Sequence, residues 1–169
     1  MEANFFQEIK FFNIKSENPC FIAASSALKD LVSITDQLAF SKSPVLITGE
    51  KGSGKESFAL QMGLKGVEQG KKFFIVDCRK YSNLNEFDTD FSDKKIIFFK
   101  EIGFLDENAQ NKLLHLIQKI NENRRYSKII ASSSDNLENF VSENRFNKEL
   151  FQCFNNLSIK IPSLRSRKK

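Results

Sequence analysis

The chain has 169 residues, of which 40% are hydrophobic and 28% are charged, as is typical of one soluble globular domain with its own core. The formal net charge is +5, and part of it lies in a basic tail at residues 165–169, which we expect to be a solvated end with only weak attraction for nucleic acid. Three widely spaced cysteines argue against a disulfide framework or a zinc site, and the absence of a membrane-length apolar run leads us to expect a cytoplasmic protein without a membrane span.

The first predicted element is an N-terminal extension over residues 1–18. Phe5, Ile9 and Phe12 fall on one stripe at helical spacing, which predicts an amphipathic helix. This helix would either dock a partner or a membrane surface or pack on the rest of the chain, and its polar face lacks the Lys/Arg band that membrane binding favours. Pro19 then separates it from a domain that we predict for residues 19–164.

The domain begins with a helix and continues as alternating strands and helices. Ser25 or Ser26 is the predicted cap of a helix that extends to Phe40. Short apolar runs predict strands, and 3.6-residue periodicity predicts further helices. The strands are expected at 44–48, 72–78, 95–100, 127–133 and 157–161, and the helices at 56–67 and 108–120. Continuous apolar strands separated by helices predict an α/β fold with a parallel sheet covered on both faces.

A glycine-rich turn joins the first strand to the helix at 56–67. Its sequence, GEKGSGK at 49–55, matches the G-x-x-x-x-G-K pattern of a phosphate-binding loop. The glycines let backbone N–H groups point at a phosphate, and the helix N-terminus and the Lys55 ammonium add positive charge. Most such loops continue with Ser or Thr as a magnesium ligand, where this chain has Glu56. The predicted nucleotide-binding residues are Gly49, Glu50, Lys51, Gly52, Ser53, Gly54, Lys55, Glu56 and Ser57.

Further segments follow this loop in a recognisable order. They are FIVDC at 74–78, FFKEIG at 98–103, IASSSDNL at 130–137 and PSLRSR at 162–167. Together with ITGEKGSGKE at 47–56, they resemble the AAA+ ATPase domain of the sigma-54-dependent transcriptional activators, the bacterial enhancer-binding proteins. The resemblance covers Cys20 to Arg167. It implies a three-layer P-loop NTPase fold with a five-stranded parallel sheet, ATP or ADP as ligand, and a role in transcription regulation.

The resemblance also assigns roles around the predicted loop, and the chain departs from several of them. The family's Walker B aspartate corresponds to Lys100, which reverses the charge beside a divalent ion and makes Mg²⁺ binding doubtful. Glu56 is the remaining candidate metal ligand, and the Lys100 ammonium is itself a candidate replacement for the metal. Glu101 stands where the family polarises the attacking water, and Ser134 stands where it has a sensor asparagine. We therefore expect Glu101 and Ser134 to be remnants of the catalytic apparatus.

Other family features have no counterpart in the sequence. The arginine-finger positions correspond to Asn147 and Cys153, neither of which can donate a bidentate cation to a phosphate, although Arg145 and Lys148 lie nearby. Residues 79–95 are too few for the family's inserted helix and its GAFTGA loop, so we expect no contact with sigma-54. We also expect the helical lid to be absent, and the oligomeric state is left open.

The sequence is compatible with three hypotheses about function. The first is an ATP- or ADP-binding regulatory domain with weak or lost hydrolysis, a degenerate ATPase with an unidentified protein partner. The second is a nucleotide-independent scaffold or interaction module on the same fold. The third, an active hydrolase working alone, requires a compensating arginine and a metal ligand that the sequence does not supply.

Overall fold

The computed structural model describes residues 34–35, 37–83, 95–122 and 127–163. The predicted N-terminal helix, most of the helix that ends at Phe40, and the basic tail lie outside them. Within the described part, residues 37–40 are helical, as expected for the end of that helix. The domain boundaries at residues 19 and 164 remain predictions.

Five parallel strands form one sheet in the order β2-β3-β4-β1-β5. They are β1 (Val45–Thr48), β2 (Lys72–Asp77), β3 (Lys95–Lys100), β4 (Lys128–Ser133) and β5 (Ser158–Lys160). The helices are α1 (Lys55–Glu68), α2 (Glu107–Glu122), α3 (Leu137–Ser142) and α4 (Lys148–Phe154), and a 3₁₀ turn spans Ile102–Phe104. All five strands confirm the prediction from apolar runs, and β3 has the predicted bounds.

Apolar residues cover both faces of the sheet because successive strand side chains point to opposite sides. In β3, Ile96 and Phe98 face a core that includes Phe58, Ala59 and Met62 of α1. Ile97 and Phe99 face the opposite core, which is built mainly by α2 and α4. The structure is therefore the expected three-layer α/β arrangement of a P-loop NTPase fold.

Two glycines let α1 lie close to the sheet. A Cβ atom on Gly63 would lie 2.5 Å from the ring of Phe73, and one on Gly66 would lie 1.8 Å from Cδ1 of Ile96. Both partners are almost fully buried. The contact fixes the helix against β2 and β3 and thereby sets the position of the turn at its N-terminus.

The short helices α3 and α4 were not predicted from the sequence. Each begins at an asparagine whose side chain caps the helix: Asn136 accepts hydrogen bonds from the N–H groups of Glu138 and Asn139, and Asn147 accepts one from Leu150. With six and seven residues, the two helices are too short to show a clear apolar period. Asparagine is a favoured N-cap residue, so Asn136 and Asn147 were the sequence features that could have predicted the starts of these helices.

Candidate functional site

The predicted phosphate-binding turn links β1 to α1 at the carboxyl edge of the sheet. Gly52 has φ 80° and Gly54, the residue that precedes α1, has φ 100°. A residue with a Cβ atom seldom adopts such angles, whereas glycine does so readily. The turn is closed by a hydrogen bond from the N–H of Ser53 to the carbonyl of Glu50 at 3.0 Å. This backbone path brings the N-terminus of α1 to the wall of a cleft.

The start of the turn rests against the end of β5. A Cβ atom on Gly49 would lie 2.8 Å from the carbonyl oxygen of Ile161, so only glycine fits without a shift of the backbone. The N–H of Ile161 also donates to the carbonyl of Thr48 at 2.8 Å. The two chain segments are thus in direct backbone contact.

Lys55 places its ammonium inside the turn. Its Nζ donates to the carbonyls of Gly49 at 2.8 Å and Glu50 at 3.0 Å, and to the hydroxyl of Ser134 at 2.8 Å. Glu101 adds an ion pair at 3.6 Å, and the lysine side chain is only 6% exposed. A buried ammonium with these partners provides a fixed positive charge at the centre of the site.

Glu101 follows β3 with φ 59° and ψ 60°, a left-handed conformation that is uncommon outside glycine. Its N–H donates to the hydroxyl of Ser132 at 3.1 Å. Its carboxylate accepts hydrogen bonds from the N–H of Ser134 at 2.7 Å and from the hydroxyl of the same residue at 2.8 Å. The two predicted catalytic remnants therefore lie in direct contact with each other and with Lys55.

Lys100 and Glu56 form an ion pair across the mouth of the same cleft. The distance from Lys100 Nζ to Glu56 Oε2 is 2.5 Å, and the two side chains are 22% and 49% exposed. In P-loop NTPases, the residue after the loop lysine and the Walker B aspartate hold Mg²⁺. Here these two positions carry a carboxylate that is neutralised by an ammonium, and the arrangement does not fit a Mg²⁺ site.

Arg79 is a site residue that sequence reasoning missed. It follows β2, and its guanidinium donates to both carboxylate oxygens of Asp77, at 2.9 and 2.6 Å. These hydrogen bonds hold the pKa of Asp77 below its ordinary value. The position after the carboxyl end of a parallel strand was the available signal, since these ends share one edge of the sheet.

The cleft has a volume of about 340 Å³ and combines four cationic side chains with two carboxylates. Its lining residues are Lys51, Gly52, Gly54, Lys55, Glu56, Arg79, Lys100, Glu101 and Ser132. Gly49, Glu50 and Ser134 line a neighbouring cavity of about 500 Å³ on the other side of the turn. Ser53 is buried beneath the turn, and Ser57 is half-buried in the first turn of α1.

The two residues at the family's arginine-finger positions, Asn147 and Cys153, are not among the residues that line this cleft. Asn147 caps α4, and its N–H donates to Oε1 of the buried Gln110 at 2.7 Å. Cys153 is half-buried in α4. Arg145 pairs with Glu143 and lies 3.9 Å above the ring of Phe140. The hydrogen bond between Asn147 and Gln110 joins the start of α4 to α2.

The described residues contain no cluster of three His, Cys, Asp or Glu side chains suited to a metal ion. Cys78 is fully buried behind the cleft, and burial raises the pKa of its thiol, which keeps it neutral. No helix in this part of the chain is long and apolar enough to cross a membrane.

Comparison with solved structures supports the fold assignment. NtrX from Brucella abortus, in a crystal structure described as a complex with ATP, is similar over 91% of this chain and 41% of NtrX, with a TM-score of 0.70 and 21% sequence identity. At this identity, the likeness concerns the fold.

Comparison with curated sequences shows which proteins this chain is related to. The HTH-type transcriptional regulatory protein TyrR of Haemophilus influenzae is 27% identical over 182 residues, which cover 94% of this chain and 57% of TyrR. The formate hydrogenlyase transcriptional activator of Salmonella typhimurium is 26% identical over 183 residues, with 92% of this chain and 26% of the activator covered. The chain thus spans about half of the first relative and a quarter of the second. Residues 22–164 match the family described as the Sigma-54 interaction domain, and the chain belongs to that family.

Proposed function

We propose that this domain binds ATP or ADP through the turn at residues 49–57 and serves as a regulatory module whose hydrolysis is weak or lost. The observation that carries the proposal is the ammonium of Lys55, held inside a glycine turn that begins α1. A helix N-terminus and a fixed ammonium together favour a phosphate anion. The relatives are transcription regulators, and NtrX has been crystallised with ATP, which supports this ligand class and setting.

The residues of the cleft fit a polyphosphate. Four cationic side chains and two carboxylates line its wall, and Asp77 pairs with one of the cations, Arg79; the remaining positive charge favours an anion. Entry of a phosphate would replace the carbonyls of Gly49 and Glu50 as partners of Lys55. The described lining is polar and charged, and it supports recognition of phosphates more than selection of a base. The choice of adenine rests on NtrX, whose crystal structure is described as a complex with ATP.

The proposal of weak hydrolysis rests on the hydrogen bonds that hold the carboxylate of Glu101. A general base must reach the attacking water, but both carboxylate oxygens of Glu101 already accept hydrogen bonds from Ser134. Lys100 stands where a metal-binding aspartate is expected, and it pairs with Glu56. Without a positioned metal, the charge that develops during phosphoryl transfer has less stabilisation.

We further propose that the domain does not contact sigma-54 through an inserted loop. The alignments with TyrR and the formate hydrogenlyase activator extend over 182 and 183 positions, more than the 169 residues of this chain. Some positions of these relatives therefore have no counterpart here. This agrees with the short connection of residues 78–94 between β2 and β3.

The test is nucleotide-dependent thermal stability. ATP or ADP at about a hundred times its dissociation constant should stabilise the wild-type chain by about 2.7 kcal/mol, and the Lys55→Ala variant should lose this response because the central cation is gone. Lys42→Ala is the matched control, since Lys42 is exposed and precedes β1. Circular dichroism confirms that each variant is folded. A full response in Lys55→Ala would contradict the proposal.

A nucleotide-independent interaction module is the second candidate. It is favoured by the internal satisfaction of Lys55, whose ammonium already has two carbonyls, one hydroxyl and one carboxylate as partners. This candidate predicts no thermal shift of the wild-type chain with ATP or ADP. It also predicts the same partner binding for Lys55→Ala as for the wild type.

A further inference from the structure

We propose that the ammonium of Lys100 takes the place of the divalent cation, so that the cleft binds a nucleoside di- or triphosphate without metal. The inference rests on the proposed function and specifies the cation of the same site. It is carried by the ion pair between Lys100 and Glu56 at the mouth of the cleft.

The position of Lys100 supports this proposal. Lys100 ends β3 and lines the cleft together with Lys55, and its Nζ lies 2.5 Å from Oε2 of Glu56 at the first turn of α1. Mg²⁺ in P-loop NTPases lies between these two elements, because its protein ligands are the residue after the loop lysine and the Walker B aspartate. The ammonium therefore lies beside the two positions that would hold the metal in a P-loop NTPase.

The charge that Lys100 brings to the cleft also supports the proposal. An aspartate-to-lysine exchange adds two positive charges, which is the charge that Mg²⁺ would bring. A divalent ion close to Lys100 would be repelled by the ammonium, and it would have to compete with it for the carboxylate of Glu56. The free polyphosphate, which is more negative than its magnesium complex, is the better electrostatic match for this cleft.

The ammonium of Lys100 is also available to a phosphate ligand. Lys100 is 22% exposed, and its carboxylate partner is 49% exposed, so solvent screens this ion pair and makes it weak. A phosphate oxygen can therefore replace Glu56 as the partner of Lys100. Arg79 contributes another cation to the same wall, although its guanidinium is engaged by Asp77.

The experiment is calorimetric titration of the full 169-residue chain with ATP and with ADP, once with excess EDTA and once with excess Mg²⁺. The wild-type chain should bind in EDTA with an affinity equal to or higher than that in Mg²⁺. Binding that requires Mg²⁺ would overturn this inference and leave the proposed function intact. Binding in neither condition would overturn both.

Variants at the ion pair sharpen the test. Lys100→Met should weaken binding in EDTA by about tenfold or more, which corresponds to the loss of one strong charged contact, whereas Lys100→Arg should retain it. Lys100→Asp should lose binding in EDTA and regain it with Mg²⁺. Unchanged EDTA binding in Lys100→Met would overturn the inference.

Glu56→Gln provides a test in the opposite direction. It keeps the ammonium and removes the carboxylate that competes for it, so nucleotide affinity in EDTA should rise. Lys72→Met is the matched distal control, because Lys72 is an exposed lysine at the other end of the neighbouring strand β2. Weaker EDTA binding in a folded Glu56→Gln variant would contradict the assigned role of Lys100.

Discussion

Glu101 leaves β3 in a left-handed backbone conformation that non-glycine residues adopt at a cost of about 1–3 kcal/mol. The hydrogen bonds of its N–H to Ser132 and of its carboxylate to Ser134 hold it there. Such strain is often concentrated at functional sites, and here it directs the carboxylate toward Lys55. The residue is thus kept in the site, and each of its carboxylate oxygens accepts a hydrogen bond from Ser134.

This arrangement leads to a prediction about catalysis. Phosphate release from ATP by the wild-type chain should be no faster than release by a Glu101→Gln variant, because the carboxylate of Glu101 is held by Ser134 and no metal ligand set accompanies it. A colorimetric phosphate assay with both purified proteins measures this. Clearly faster release by the wild type would revive the active-hydrolase hypothesis.

At the scale of elements, strands were predictable because each is a short continuous apolar run, as in KIIFFK of β3. The longer helices α1 and α2 were predictable from their period. The helices α3 and α4 were not, since six or seven residues give too few repeats of that period. Their register depends instead on packing of Leu137, Leu150 and Phe154 into the core.

The contact of α1 with the sheet gives a prediction about stability. In Gly63→Ala, overpacking against the buried ring of Phe73 should cost about 1–3 kcal/mol. The higher helix propensity of alanine should offset about 1 kcal/mol of this cost, so we expect a net loss of stability. Urea unfolding measures the difference. Glu68→Ala, at an exposed position of the same helix, is the control and should change stability by less than about 0.5 kcal/mol. A stabilised Gly63→Ala variant would show that Phe73 can move away.

At the scale of the whole molecule, the resemblance predicted that several site residues are neighbours, but it did not predict which of them pair. The positions of Lys55, Glu101 and Ser134 follow from motif order, and the structure places them in contact. The pair of Lys100 with Glu56 joins residues 44 positions apart and depends on how α1 lies across β3. Sequence spacing contains no information on that distance.

Lys128 links the beginning of β4 to the segment before β1. Its Nζ donates to the carbonyl and hydroxyl of Ser41 and to the carbonyl of Ser43, at 2.6–2.9 Å. Burial, with a smaller contribution from the charge of Lys71, lowers the pKa of Lys128 from its ordinary 10.5 to about 7. At pH values between about 7 and 10.5, Lys128 is more protonated in the unfolded chain than in the folded one. Its contribution therefore makes the protein more stable as pH rises through this range.

The expected result is a pH-dependent difference between wild type and Lys128→Met. The free energy of unfolding of the wild type, minus that of the variant, should increase from pH 7 toward pH 10 and stay level below pH 7. Urea denaturation across this range measures it. A Lys128→Met difference that falls as pH rises would contradict the lowered pKa.

The contact between Gly49 and Ile161 has a mechanical consequence. Ile161, the residue after β5, contacts the start of the glycine turn: its N–H donates to the carbonyl of Thr48, and its carbonyl oxygen leaves no space for a side chain at Gly49. Backbone displacement at the end of β5 would therefore be transmitted directly to the turn, without passing through either apolar layer. Tension on the chain beyond Ile161 and occupancy of the turn should each alter the other.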